Sequence, residues 1–166
     1  MKKKNFLHVI TFLAFVVFIV LGLGSGASTP NTNNAVIPPG LSVDIDNSAV
    51  IIGDILAVDG HRLPGMTTRK TVRVPAGRAV TILVSCARSV HVVQGNRSYN
   101  FQANQEYTLP PLENGKTYIL TVLVNDDLNT RLLLTYSSIF LRDNATRESI
   151  FSQSKPFNPP IRPTVR

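Results

Sequence analysis

The sequence predicts an all-β fold: a single antiparallel β-sandwich of about seven to nine strands, behind an N-terminal hydrophobic signal or anchor helix. Two stretches, Lys70–Cys86 and Leu112–Val124, carry most of that prediction. Successive strand side chains point to opposite faces, so a half-buried strand alternates with period two. Val80, Ile82, Val84 and Cys86 share one face, opposed by Thr81, Leu83 and Ser85. Tyr118, Leu120, Val122 and Val124 share another, opposed by Ile119, Thr121 and Leu123. Leu83, Ile119 and Leu123 mark both as central strands covered partly on each side. Turn signals recur about every 8–12 residues, and no helical period follows the hydrophobic N-terminus.

The two stretches also enter their strands alike. Placing Val74 against Leu112 sets Gly77 on Gly115, Arg78 on Lys116, Val80 on Tyr118 and Ile82 on Leu120. A glycine just before the strand supplies the positive φ that such a turn needs. Two strand entries sharing one turn chemistry account for this without an internal duplication.

Taken in order, Met1–Asn31 reads as a targeting segment. Lys2, Lys3 and Lys4 precede the apolar run Val9–Leu23, and Ser25-Gly26-Ala27 supplies small residues for cleavage after Ala27. A cleaved signal over residues 1–27 is favoured over a retained anchor built on residues 6–23, for which ~20 apolar residues are needed. Both send the remaining chain across the cytoplasmic membrane, to the periplasm, the cell surface or the medium. No cysteine lies near the cleavage region, so a lipid anchor on an N-terminal cysteine is not available. Residues 28–39 are a polar, proline-bearing linker. Leu41–Asp46 and Ala49–Val58 read as strands, Asp59-Gly60 as a turn and His61–Arg69 as a loop. Val90–Gln94 and Ser98–Phe101 flank a short hairpin turn, Gly95-Asn96-Arg97. Glu106–Leu109 is a brief strand, Asn114-Gly115 turns into Thr117–Val124, and Asn125–Asn129 turns into Thr130–Leu141. The sandwich thus occupies residues 40–142, enough for one core. Residues 143–166 carry Pro156, Pro159, Pro160 and Pro163 and read as a basic, proline-rich, disordered tail.

Composition narrows the chemistry. The formal charge is +7, but after residue 27 there are 14 basic and 10 acidic residues, without clusters. Nucleic-acid binding needs a concentrated basic face, so it is not expected. The one cysteine, Cys86, cannot form an intrachain disulfide, so packing alone must hold the domain. Cys86 with His61 or His91 is the one conceivable nucleophile–base set. Its place beside Val80, Ile82 and Val84 makes Cys86 a buried, inert thiol. The histidines and cysteine lack the spacing of a zinc site. Asn125–Asn129 offers oxygens to calcium but too few, and reads as a polar turn. Asn96-Arg97-Ser98 and Asn144-Ala145-Thr146 match the glycosylation sequon. No phosphate-cradling loop, G-x-S-x-G or H-E-x-x-H motif is present. No catalytic, metal or cofactor residue is assigned.

Val58-Asp59-Gly60, then Gly65, then Val72-x-Val74-Pro75-Ala76-Gly77 leading to Thr81–Val84 resembles the PEGA-type and carboxypeptidase-regulatory-like small sandwiches of bacterial envelopes. Leu112-Glu113-Asn114-Gly115-Lys116-Thr117-Tyr118, followed by Leu120 and Val122, resembles the tyrosine-corner strand entry of fibronectin type III domains. The resemblances imply an Ig-like binding or spacing module and transfer no functional residue.

The expected function is an exported, non-catalytic binding, adhesion or assembly module of the cell envelope, with a protein or glycan partner. Loops such as His61–Arg69, the Gly95 hairpin with Tyr99, Phe101, Tyr107, Arg88 and Arg97 nearby, or an exposed strand edge would make the contact. The alternatives are a carbohydrate-binding module, or a small envelope enzyme using Cys86 and a histidine.

Overall fold

In the computed structural model, which describes residues 32–65, 69–92, 97–127, 133–162 and 164–165, the chain forms two five-stranded sheets. The expected signal or anchor lies outside the described residues. One sheet runs β4 (Lys70–Pro75), β1 (Ser48–Gly53), β7 (Thr117–Asp127), β8 (Leu133–Asp143) and β9 (Ser149–Ile161). The other runs β10 (Thr164–Val165), β6 (Arg97–Leu109), β5 (Val80–Val92), β2 (Ile55–Val58) and β3 (His61–Arg62). The all-β, two-sheet architecture is as expected.

The alternating faces become the core. Val80, Ile82, Val84 and Cys86 from β5 and Tyr118 and Leu120 from β7 are buried, together with Ile51, Val72, Val74, Tyr107, Ile139 and Leu141. The paired turn glycines have nearly equal φ, 72° at Gly77 and 73° at Gly115, the left-handed conformation that the aligned sequences anticipate. The aligned cations both reach carboxylates: Arg78 bonds Asp59 at 2.6 Å, and Lys116 lies 2.7 Å from Glu113 and 3.5 Å from Asp143. Asp143 is buried and accepts from the backbone N–H groups of Ala145 and Thr146; those bonds, with Lys116 adding to them, hold its carboxyl below the usual range. The Tyr118 hydroxyl accepts from the Glu113 N–H at 3.0 Å, the bond of a tyrosine corner.

Several boundaries differ from the sequence reading. Residues 41–44 form no strand, and Ile45–Asn47 is a 3-10 turn. The Asp44 carboxylate accepts from the Asp46 N–H, a local bond that competes with a ladder. Ala49–Val58, expected as one strand, is two strands in different sheets, with the chain crossing at Gly53-Asp54. His61-Arg62 pairs with β2 across Asp59-Gly60, both with positive φ, so part of the expected loop is a tight hairpin. The short hairpin expected at residues 90–101 is the tip of a long one, paired from Val80↔Leu109 to Val92↔Arg97. The sandwich is not wholly antiparallel either. β1 runs parallel to β7, with Ile51 beside Tyr118.

The expected disordered tail is the largest correction. Residues 149–161 form β9, paired antiparallel with β8 from Arg142↔Ser149 to Tyr136↔Pro156 and, after a register shift, at Leu134↔Ile161. An edge strand tolerates proline where no ladder partner needs its N–H, so the prolines select an edge rather than disorder. Phe157 is buried, Phe151 packs against the core, and the Lys155 ammonium donates to the Glu106 carbonyl at 2.6 Å. The opposite edge of that sheet is also covered. Val36 donates its N–H to Thr71 O and accepts from the Arg73 N–H, beside β4.

Candidate functional site

β5 is thirteen residues long, and its two sides are served unequally. β6 pairs with its whole length, whereas β2 covers only Ile82 to Val84. Flanking the β2 ladder on that side are two further backbone bonds, Asp59 N–H to Thr81 O at 2.7 Å and Ser85 N–H to Asp54 O at 3.1 Å. Polar backbone groups in a strand point to alternate sides, so Ala87 and Ser89 aim theirs the same way as Thr81 and Ser85. Among the described residues, no strand pairs with β5 on that side beyond Ser85.

The reason lies at Gly53. A Cβ there would fall 2.7 Å from Leu120 Cβ and 2.9 Å from Leu120 O, so only glycine lets β1 pass this close to β7 as it leaves for the other sheet. The crossing closes one end of the gap with Asp54. Beneath the gap runs the inward face of β7, where Tyr118 and Leu120 are buried but Val122 and Val124 are only partly covered. The result is a cleft of about 220 Å³ lined by Asp54, Ser85, Ala87, Val122 and Val124. Arg88, on the inward face of β5, donates from Nη1 to the Val124 carbonyl at 3.0 Å and ties β5 to β7. The Asp54 carboxylate has no hydrogen-bond or ion-pair partner among the described residues. This cleft offers what an added strand needs: backbone donors and acceptors with no strand partner among the described residues, an apolar floor and one uncompensated charge.

No family model, curated protein or solved structure matches this chain. The cleft therefore has to be read from its own residues.

The residues singled out from the sequence lie elsewhere. Cys86 is fully buried, and burial pushes its thiol up, offset in part by a hydrogen bond with Ser137. The same Ser137 engages the buried Tyr107 hydroxyl, 2.8 Å from the carbonyl and 2.7 Å from Oγ. His61 is not brought to Cys86; its Nδ1 lies 3.2 Å from the Pro39 carbonyl. The side chains of His91 and Arg97 and the whole of Asn96 lie outside the described residues. Asn144 donates its N–H to Thr117 O in the turn after β8. Asn125–Asp127 ends β7, and residues 128–129 of the supposed calcium loop lie outside the described residues. Among the described residues, no three His, Cys, Asp or Glu side chains gather to hold a metal. Phe101 and Tyr107 belong to the core, and Tyr99 packs against it. Alkylation of the native protein with a maleimide should leave Cys86 unmodified, with full labelling only in denaturant; rapid labelling of the native chain would reopen the thiol as a nucleophile.

What the sequence reading missed is the cleft itself. Its one local signal is Gly53-Asp54 inside an otherwise apolar run, since glycine within a strand marks a bend or a close backbone approach.

Proposed function

We propose that the chain is an exported, non-catalytic binding module of the cell envelope, an Ig-like sandwich that takes a protein partner by strand addition at the open side of β5. The single observation behind this reading is the unequal service of β5: a thirteen-residue strand in mid-sheet whose second neighbour stops at Ser85. Exposed ladder groups beside an apolar floor recruit an extended peptide, because main-chain bonds supply affinity and alternate side-chain pockets supply specificity. The tyrosine corner at Tyr118 and the likeness to PEGA-type and carboxypeptidase-regulatory-like modules support the Ig-like part of the reading. A carbohydrate platform needs a row of exposed aromatics; among the described residues, Tyr136 alone is an exposed aromatic.

The test uses a change that touches only the open side. Ala87→Pro removes an outward N–H while leaving the bonds to β6, which the neighbouring residues make. Full-length tagged protein, cross-linked in its native envelope, is expected to capture a partner that Ala87→Pro and Ser89→Pro both lose, while their melting temperatures stay near wild type. The tagged chain itself should begin near Ser28. Equal capture by folded proline variants would defeat strand addition, and an intact N-terminus would replace the processed module with an anchored one.

A further inference from the structure

We infer that the strand received by β5 runs antiparallel to it, rests apolar side chains on Val122 and Val124, and carries a lysine or arginine at its carboxyl end against Asp54. This rests on the strand-addition reading above and specifies the partner's chemistry.

Direction follows from the neighbours. β2 and β6 both pair antiparallel with β5, and the open slot lies in line with β2. An occupant that continues the ladder travels as β2 does, from the Val92 end of β5 toward Ser85. Its carboxyl end then meets the crossing at Gly53-Asp54, where β2 already fills the lattice. The slot runs from Cys86 to Val92, so it holds about six or seven residues of extended chain.

Side chains on one face of that segment point inward. They fall over Val122 and Val124, the inward residues of β7 that the sandwich leaves partly covered. Small branched residues suit this floor, since the cleft is only about 220 Å³.

The charge requirement follows from closing the slot. An occupant removes water from Asp54, whose carboxylate has no partner among the described residues. A carboxylate taken from water without a counter-charge is costly, so an acidic or neutral carboxyl end is rejected and a cationic one is accepted. Arg88 does not pair with Asp54; it donates to the Val124 carbonyl.

The probe is a fluorescein-labelled, amidated hexapeptide alternating valine and threonine, with lysine as its last residue, titrated into the full chain by anisotropy. Exchanging that lysine for norleucine should weaken binding about tenfold, and glutamate should weaken it further. Asp54→Asn should erase the lysine preference, tightening the norleucine peptide because no charge is then buried unpaired, and Ala87→Pro should abolish binding of both. Slower amide exchange at Ala87 and Ser89 in the complex would place the peptide on the intended edge. Equal affinity of the lysine and norleucine peptides, or binding of neither, overturns the inference. The strand-addition reading falls separately, through envelope capture that survives Ala87→Pro.

Discussion

Replacing Gly53 with alanine is expected to destabilise the domain by about 3 kcal/mol and to lower its melting temperature by roughly 10 °C. The new methyl group would stand 2.7 Å from Leu120 Cβ and 2.9 Å from the Leu120 carbonyl. Neither obstacle can be trimmed away, because Leu120→Ala keeps both atoms. The strands must separate instead, and β1 and β7 are held together by the parallel ladder from Val50↔Thr117 to Ile52↔Ile119. Urea titration should show a lower midpoint with an unchanged slope, the sign of a less stable native state. The same variant should weaken partner capture, because the crossing sets where the cleft ends. A midpoint within experimental error of wild type would mean that β1 can shift sideways at little cost, and the account of the crossing would fail.

Tyr107→Ala should cost about 4 kcal/mol, in the range for losing a buried aromatic ring. Tyr107 is fully buried, and its hydroxyl lies 2.8 Å from the Ser137 carbonyl and 2.7 Å from Ser137 Oγ, joining β6 to β8 across the core. The Lys155 ammonium lies 5.3 Å from the ring centroid, which draws β9 into the same contact. Tyr107→Phe separates the contributions. It keeps the ring and the cation but leaves Ser137 short of a buried partner, for a loss of about 1.5 kcal/mol. Urea midpoints of the two variants, measured side by side, should therefore differ clearly. Matching midpoints for Phe and wild type would show that the hydroxyl bond adds nothing beyond the ring.

The strands carrying the core were legible because their chemistry is local. Val80 to Cys86 and Tyr118 to Val124 alternate cleanly, and each lies behind a glycine whose positive φ is visible in the residue type. The tyrosine corner at Tyr118 could be anticipated for the same reason. Ala49–Val58 reads as one strand because the run is apolar on both sides of Gly53-Asp54, and Gly53 acts through a non-local neighbour, Leu120, that no short window contains. Residues 149–161 were misread because proline argues against a strand in general, while its tolerance depends on lying at a sheet edge. Phe151 and Phe157 were the countervailing sign, both on the alternation that also holds Gln153 and Lys155. Of the cleft, only the Gly53-Asp54 interruption is legible in the sequence. The cleft exists because β2 ends before β5 does, a difference in length between strands that pair only after folding.

The borders of the two sheets are finished unequally. β4 is flanked by Val36, β9 carries Pro156, Pro159 and Pro160, and β3 and β10 each extend only two residues. Short, covered or proline-bearing borders propagate pairing poorly. The border at β10 is the exception, because that strand pairs only with Tyr99 and Asn100 and leaves β6 from Phe101 to Leu109 without a strand neighbour on its outer side among the described residues. On the strand-addition proposal, pairing at β5 therefore leaves a second border of the same sheet, at β6, open to pairing.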